Sequence, residues 1–565
     1  MKSVRSRALS VLSLGVLCGP ALAAETLSNG IELPNQWPPQ HGTNLTRQPL
    51  GEPPYLKQLP KVIPINVGRQ LFVDDFLIES GTLQRTHHLP EYHAASPVIG
   101  PDQPWEGKGS RARAGVFSDG VWFDPRDRLF KAWYWSGAVS EQPLRYATCL
   151  ATSRDGIRWE KPVLDVVPGT NIVLEDEPDL RRNSSTVWLD HFERDTEQRF
   201  KMFRVVQKDN RSGSGHRNFI RYSTSADGIH WTFVADSTDC GDRTTVFFNA
   251  HRQRWVAGLR ESSPLVSRCR GYFEAPDARG ILTFADARLR AQGVKYWLGA
   301  DELDLAREDL KLRRPKNRPW DLVPSQLYNL DCIAYESVML GLFNIWRGQP
   351  AEELKRAKIN ELCVGFSRDG FHWSRPDRRA FCPVSEDPKA WNHGNVQSAG
   401  GGCLVVGDKL YFYVGGVNWS SSSRHADPNN TGLAILRRDG FTSMDADASG
   451  GSLTTRPVVF TGRHLFVNVA APKGRLAVEI LDESGKVIAP FTRRDCRSVT
   501  DDSTKREVRW DSAKDLSALA GRPVRFRFHL TNGSLYAFWT SEDERGASGG
   551  FVAAGGPGFI GAKDE

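Results

Sequence analysis

Nowhere in its 565 residues does the chain carry an apolar run long enough to cross a bilayer as a helix. The longest, ALSVLSLGVLCGPALA, follows the basic start MKSVRSR and ends at Ala21-Leu22-Ala23. That order is the pattern of a Sec-type signal peptide, so residues 1–23 are expected to be removed and the mature chain exported, without membrane insertion. Cys18 is preceded by Leu17 rather than a small residue, which argues against a lipid anchor. Cysteine is sparse and scattered: nine in all, with no C-x-x-C pair to suggest zinc. Eight remain after cleavage, an even number that leaves disulfide pairing open. His87 and His88 lack a third ligand at useful spacing, so no metal and no cofactor is expected. There is no Lys/Arg block either. The formal charge of +7 falls to +4 when Lys2, Arg5 and Arg7 leave with the signal, and no nucleic-acid partner is expected.

What is abundant is aromatic: 17 Trp, 28 Phe and 12 Tyr. Such rings fill sheet cores and also stack on sugar faces. They recur with a period. SRDGIRW starts at Ser153, SADGIHW at Ser225, SRDGFHW at Ser367 and a worn copy, RRDGFTS, at Arg437, separated by 72, 142 and 70 residues. The doubled middle gap hides one further unit, for which the degenerate stretch Ala275 to Gly280 is the candidate. In each copy Asp155, Asp227 or Asp369 can bond the turn backbone, while Gly156, Gly228 or Gly370 accepts positive φ. Trp159, Trp231 and Trp373 then return to the core. Strand-like runs precede each turn, such as VWFD with LFKAWYW and TVWLD with RFKMFRV. One four-stranded unit cannot bury both faces alone and must stack on its copies, which is the logic of a propeller blade.

The fold expected is therefore all-β, a five-bladed β-propeller over residues 66–449 followed by a C-terminal β-sandwich over 450–547. The segment QLFVDDFLIE, Gln70 to Glu79, is placed as the strand completing the last blade. The sandwich is read from strands without the D-G turn, among them HLFVNVA, RLAVEIL and VRFRFHL. Residues 24–65 are expected to be an irregular lead-in and 548–565 a flexible tail. Helix is allowed only near 301–313 and 351–359.

The repeated S-x-D-G-x-x-W turns, five units and appended sandwich resemble the superfamily of five-bladed propeller glycosidases that includes glycoside hydrolase families 32 and 43. LFVDDFLIE, YNLDCIAYESVMLGLFNIWRG, GFSRDGFHWSRP and WNHGNVQSAGG are similar to a group of exported bacterial family-32-like proteins. The resemblance spans residues 66–540 and implies an exported glycosidase with a carbohydrate substrate. W-x-N-D-P-N, R-D-P and E-C-P, typical of family 32, are absent here. No catalytic residue can therefore be carried over by motif.

Glycoside hydrolysis needs two carboxyl groups, one of them protonated as acid. The resemblance places them near the starts of innermost strands around the central funnel. Asp242 and Asp331 stand at such starts, and Asn329 shares a strand face with Asp331. Glu336 falls on the other face inside an apolar strand. It is either the acid, with Asp242 as base or nucleophile, or half of a buried ion pair with Arg260 or Arg347. Asp119 is a lesser candidate, Asp124 and Asp190 read as turn residues, and Asp74 and Asp75 as charges at the closure seam. Arg111, Arg113, Asn183, Arg243 and Arg260 are candidate substrate contacts, as are Trp391, His393, Asn395 and Gln397, where polar residues alternate beside a Trp. The arginines hint at an anionic sugar. Rival readings are a non-catalytic carbohydrate-binding propeller and a sialidase-like enzyme, whose fold has six blades.

Overall fold

In the computed structural model, residues 25–39, 45–109, 112–141, 144–209, 216–284, 293–304, 325–348, 359–418 and 429–565 are described. The D-G turns do what their chemistry dictates. Asp155 Oδ1 accepts from the amides of Ile157 and Arg158, each at 2.8 Å, and Asp227 and Asp369 repeat the pattern. Gly156, Gly228 and Gly370 hold φ of 74–79°. Each turn also stitches its blade to the preceding one. Trp133 Nε1 donates to the Gly228 carbonyl at 2.8 Å, Tyr413 Oη to that of Gly156 at 2.5 Å, and Trp297 Nε1 to that of Phe371 at 2.9 Å.

Five blades result. The first is built on the strands Ala114–Asp124, Leu129–Glu141, Leu144–Ser153 and Ile172–Glu175. The second runs over Leu180–Leu189, Phe200–Asp209, His216–Ser225 and Thr232–Asp239, and the third over Thr245–Asn249, Arg254–Ser263, Ser267–Ala275 and Val294–Gly299. The fourth has Gln326–Glu336, Val338–Trp346 and Asn360–Ser367, edged by bridges to Ser374 and Cys382. The fifth has Asn395–Ser398, Lys409–Val417 and Asn429–Arg437, with Glu91–Tyr92 as its outer strand. The first strands of successive blades touch in turn, and the fifth meets the first, so the ring closes around an axis. Among the described residues these five blades, the fourth and fifth joined through the Asn360–Asn395 pair, exclude the six-bladed alternative.

The closing strand is a correction. Gln70–Leu71 pairs with Gly533–Ser541, and Ile78–Gly81 with Gly451–Thr455, so the segment 70–79 belongs to the sandwich. Its buried Phe72 and Phe76 explain the choice, since both enter the sandwich core. Asp74 is buried and paired with Arg368 at 2.8 Å, while Asp75 pairs with Arg85. The sandwich stacks a sheet containing His464–Ala470, Gly533–Ser541, Thr442–Ala446 and Gln84–His87 on one containing Arg475–Leu481, Arg525–Thr531 and Gly451–Thr455. The described residues of 25–65 are largely irregular but packed, with Leu27, Ile31 and Leu33 buried in the same core; a four-residue helix at Pro54–Lys57, which was not expected, and the pairing of Ile63–Pro64 with Val458–Val459 interrupt the course.

The tail is a second correction. Phe551–Val552 pairs with the end of blade four, and Val552, Ala553 and Ala554 are buried. Small residues there allow close approach; a side chain at Gly550 would collide with the Glu336 carboxylate at 2.1 Å. The eight cysteines from Cys149 to Cys496 are all free, seven of them buried. No helix among the described residues is long and apolar enough to cross a membrane. Most of the two candidate helical stretches and the whole leader lie outside the described residues.

Candidate functional site

Three of the inner strands break register where they face the axis. The pairing of Ala114–Asp124 jumps from Gly115 to Gly120, with Ser118 at φ 60°. That of Leu180–Leu189 skips Asn183, and that of Gln326–Glu336 skips Tyr328. A bulge leaves residues without a ladder partner and re-aims their side chains. Here they converge on the funnel.

Asp331 lies where three blades meet. Its Oδ2 accepts from Ser118 Oγ of blade one at 2.9 Å, Ser398 Oγ of blade five at 2.5 Å and its own blade's Asn329 Nδ2 at 3.0 Å. Burial pushes its carboxyl up, and the hydroxyls of Ser398 and Ser118 and the guanidiniums of Arg243 and Arg270 only partly offset that. Next to Ser118, Asp119 is fully buried, accepts from the Phe117 amide at 2.9 Å and pairs with Arg182 of blade two. Burial outweighs Arg182 and raises its carboxyl to about 6.

Asp242 is the opposite case. Its side chain is one-third exposed, with Arg260 Nε at 3.4 Å and Arg268 Nη1 at 3.6 Å. Burial would raise its carboxyl, but Arg268, Arg260, Arg243 and Arg270 together hold it below the usual range. Close packing makes this possible: a Cβ on Gly241 would come within 2.4 Å of the Arg260 carbonyl. One buried Asp with a raised pKa and one ionised Asp are the division of labour that acid–base chemistry uses.

Arg243 is 2% exposed, and its Nε, Nη1 and Nη2 have no hydrogen-bond partner among the described residues. Its guanidinium lies 3.1 Å from the centre of the Phe117 ring. Arg270 fixes the backbone here by donating to the carbonyls of Arg243 and Tyr328. Phe117 leans on Trp135 with centres 5.6 Å apart, and Trp135 on Tyr146 at 5.1 Å. Arg113 caps this aromatic row 4.3 Å from Trp135.

Of the remaining candidates, Asn183 sits at its bulge 3.4 Å from Asn218. Asn395 accepts from Gln397 at 2.7 Å, and the buried Oε1 of Gln397 and Oδ1 of Asn329 have no partner among the described residues. Arg111 lies outside the described residues. Trp391 is half-buried; its ring occupies the space over Gly416 and Gly432, where a Cβ would lie 2.0 and 2.1 Å from it, and it meets Tyr92 edge-on. His393 is 8% exposed with Nδ1 on the Ser385 carbonyl at 2.8 Å, held under a loop.

Glu336 is the largest correction. It stands at the far end of its strand, at the seam with the sandwich. It accepts from Ser548 Oγ at 2.8 Å and the Arg69 amide at 3.1 Å, and pairs with Arg438 at 3.1 Å and Arg69 at 3.5 Å. The ion pair is real, but neither Arg260 nor Arg347 is the partner. Asp439, from the worn repeat, joins through Arg69 at 2.8 Å and Tyr335 at 2.6 Å. Sequence reading passed over Arg182, Arg268, Arg270 and the two serines. The alternation in SRCRG was a usable signal for Arg268 and Arg270; the serines carried none. A groove of about 970 Å³ between blades two and three, lined by Asp190, Phe248 and Asp277 among others, lies at the other end of the inner strands from Asp242.

No family model matches the chain, and no curated protein matches it significantly. Among solved structures, a glycosyl hydrolase from Bacteroides ovatus is similar at 13% identity over 66% of this chain and 97% of its own, with a TM-score of 0.38. An N-acetylgalactosamine deacetylase from F. plautii gives 11% over 63% and 96%, TM-score 0.38. A family 32 β-fructofuranosidase from Bombyx mori gives 10% over 80% and 93%, TM-score 0.37. With likeness at that level, the propeller stands on this chain's own sheets.

Proposed function

We propose that the protein is an exported glycoside hydrolase cleaving an oligo- or polysaccharide in the propeller funnel. The observation that carries this reading is the contrast between Asp242, whose carboxyl is held low among arginines, and Asp331, whose carboxyl is pushed up by burial where three blades meet. Asp331 serves as proton donor to the leaving oxygen, its Oδ1 lying outside the three hydrogen bonds that hold Oδ2. Asp242 acts as base or nucleophile. The Arg182–Asp119 pair holds the bulge that carries Ser118 to Asp331. The half-buried Phe117 and Trp135 form an aromatic wall beside the site, and Asn329, Asn395 and Gln397 offer hydroxyl contacts.

The test is a hydrolysis screen of the mature protein over a glycan panel, with Asp242→Asn and Asp331→Asn alongside. Release of reducing ends that both substitutions abolish is the expected result. Binding without turnover across the panel would favour a lectin-like propeller.

A further inference from the structure

The funnel holds more positive charge than its fold requires. Arg243, Arg260, Arg268 and Arg270 surround Asp242, and Arg243 and Arg270 also act on Asp331. Four cations thus face two carboxylates, while Arg182 and Asp119 neutralise each other. Arg270 is spoken for, since it holds backbone carbonyls. Arg260 and Arg268 reach Asp242 at 3.4 and 3.6 Å, too long for good hydrogen bonds, and Arg260 Nε and Arg268 Nη1 have no such partner among the described residues.

Arg243 is the decisive residue. Its guanidinium is buried, donates no hydrogen bond among the described residues and lies over the Phe117 ring. A ring face supports a cation but uses none of its N–H donors. Leaving such a group charged and unpaired in a dry site is costly unless an acceptor arrives. A sugar hydroxyl would take one donor and leave the charge. A planar or tetrahedral oxyanion takes two in the fork geometry that guanidinium offers.

We propose that the substrate is an acidic glycan, whose carboxylate or sulfate group docks on Arg243 against the Phe117 ring, with Arg260 and Arg268 at its flank. This rests on the glycosidase reading and names the substrate class for that site.

The test is calorimetric titration of the mature protein with four probes: oligogalacturonate, its carboxyl-reduced counterpart, a sulfated galactan oligosaccharide, and its desulfated counterpart. One acidic probe is expected to bind at least about tenfold more tightly than its neutral partner, with affinity falling as salt rises. Which pair shows the difference separates carboxylate from sulfate. Arg243→Gln should erase the preference, and Arg243→Lys, which keeps charge but loses the fork, should reduce it. If the Gln variant shows no melting transition, the Lys variant and the salt titration of the unaltered protein carry the test. Equal binding of acidic and neutral partners, or no binding of either acidic probe, overturns the proposal. Acid-selective binding without turnover would sink the hydrolase reading and keep this one. Turnover of a neutral glycan, lost in Asp242→Asn, would do the reverse.

Discussion

Ser118 of blade one donates its hydroxyl to Asp331 of blade four at 2.9 Å, joining residues 213 positions apart in sequence. That bond exists because a bulge lifts Ser118 out of its ladder at positive φ. Backbone held in a sparsely populated region persists only where surroundings fix it, and such places cluster at functional sites. The same bulge brings Asp119 to Arg182 and puts Phe117 under Arg243.

Replacing Asp331 by Asn keeps the shape and the capacity to meet Ser118 and Ser398 but removes the transferable proton. Hydrolysis should drop by roughly 10²–10⁴-fold, with the melting temperature little changed or raised, because a buried acid is lost. Steady-state kinetics beside thermal melts check this. Unchanged turnover would remove Asp331 from the chemistry.

Asp119 gives a pH signature. Its folded-state carboxyl is raised from 3.8 to about 6, so between those values the folded form holds a proton that the unfolded form has released. Stability from this group is complete below about pH 4 and lost as pH climbs through 6. His191 and His251, lowered by burial to about 4, act in the opposite sense across much of that window. The difference in melting between the unaltered protein and Asp119→Asn, followed from pH 4 to 7, isolates the Asp119 share. A flat difference curve would contradict the assignment.

Glu336→Gln should behave as a stability mutation. It leaves Arg69 and Arg438 facing a neutral amide in a buried seam, and breaking such a pair typically costs about 3–5 kcal/mol. The expected outcome is a melting point lowered by several degrees, with KM and kcat near normal at temperatures where the variant is folded. Loss of turnover without loss of stability would return Glu336 to the catalytic list.

The inter-blade stitches can be cut singly. Trp133→Phe removes the donor to the Gly228 carbonyl, worth about 1 kcal/mol, and also the outer ring atoms that lie against Gly228, which adds a cavity cost. Gly228→Ala should cost more, since the added Cβ would meet Trp133 at 2.4 Å in a backbone held at φ 79°. Chemical denaturation of the two variants ranks them; the reverse order would mean the lost bond and cavity outweigh the clash.

The number of blades was readable because each D-G turn is a local device whose Asp and Gly act within a few residues. The sandwich strands were readable from their alternation. What could not be read was long-range pairing. Gln70 to Glu79 looks like any edge strand, and only the burial of Phe72 and Phe76 against the sandwich decides where it goes. Asp242 and Asp331 were singled out as openers of inner strands; Asp242 does precede Thr245–Asn249, whereas Asp331 sits in the middle of Gln326–Glu336. Arg182 and Ser398 were missed because their roles depend on which blades adjoin, information that no local pattern holds. Glu336 was correctly read as a buried acid needing a partner. Its partners Arg69 and Arg438 are 267 and 102 residues away.

The seam gathers Arg69, Arg438 and Ser548 onto the Glu336 carboxylate, and Arg438 and Ser548 also reach Asp564. Arg69 and Asp564 are nearly the whole described chain apart. The junction is therefore a long-range contact, closed only when segments far apart in sequence have met. Removing either partner segment would leave the buried charges of the seam without their counterparts.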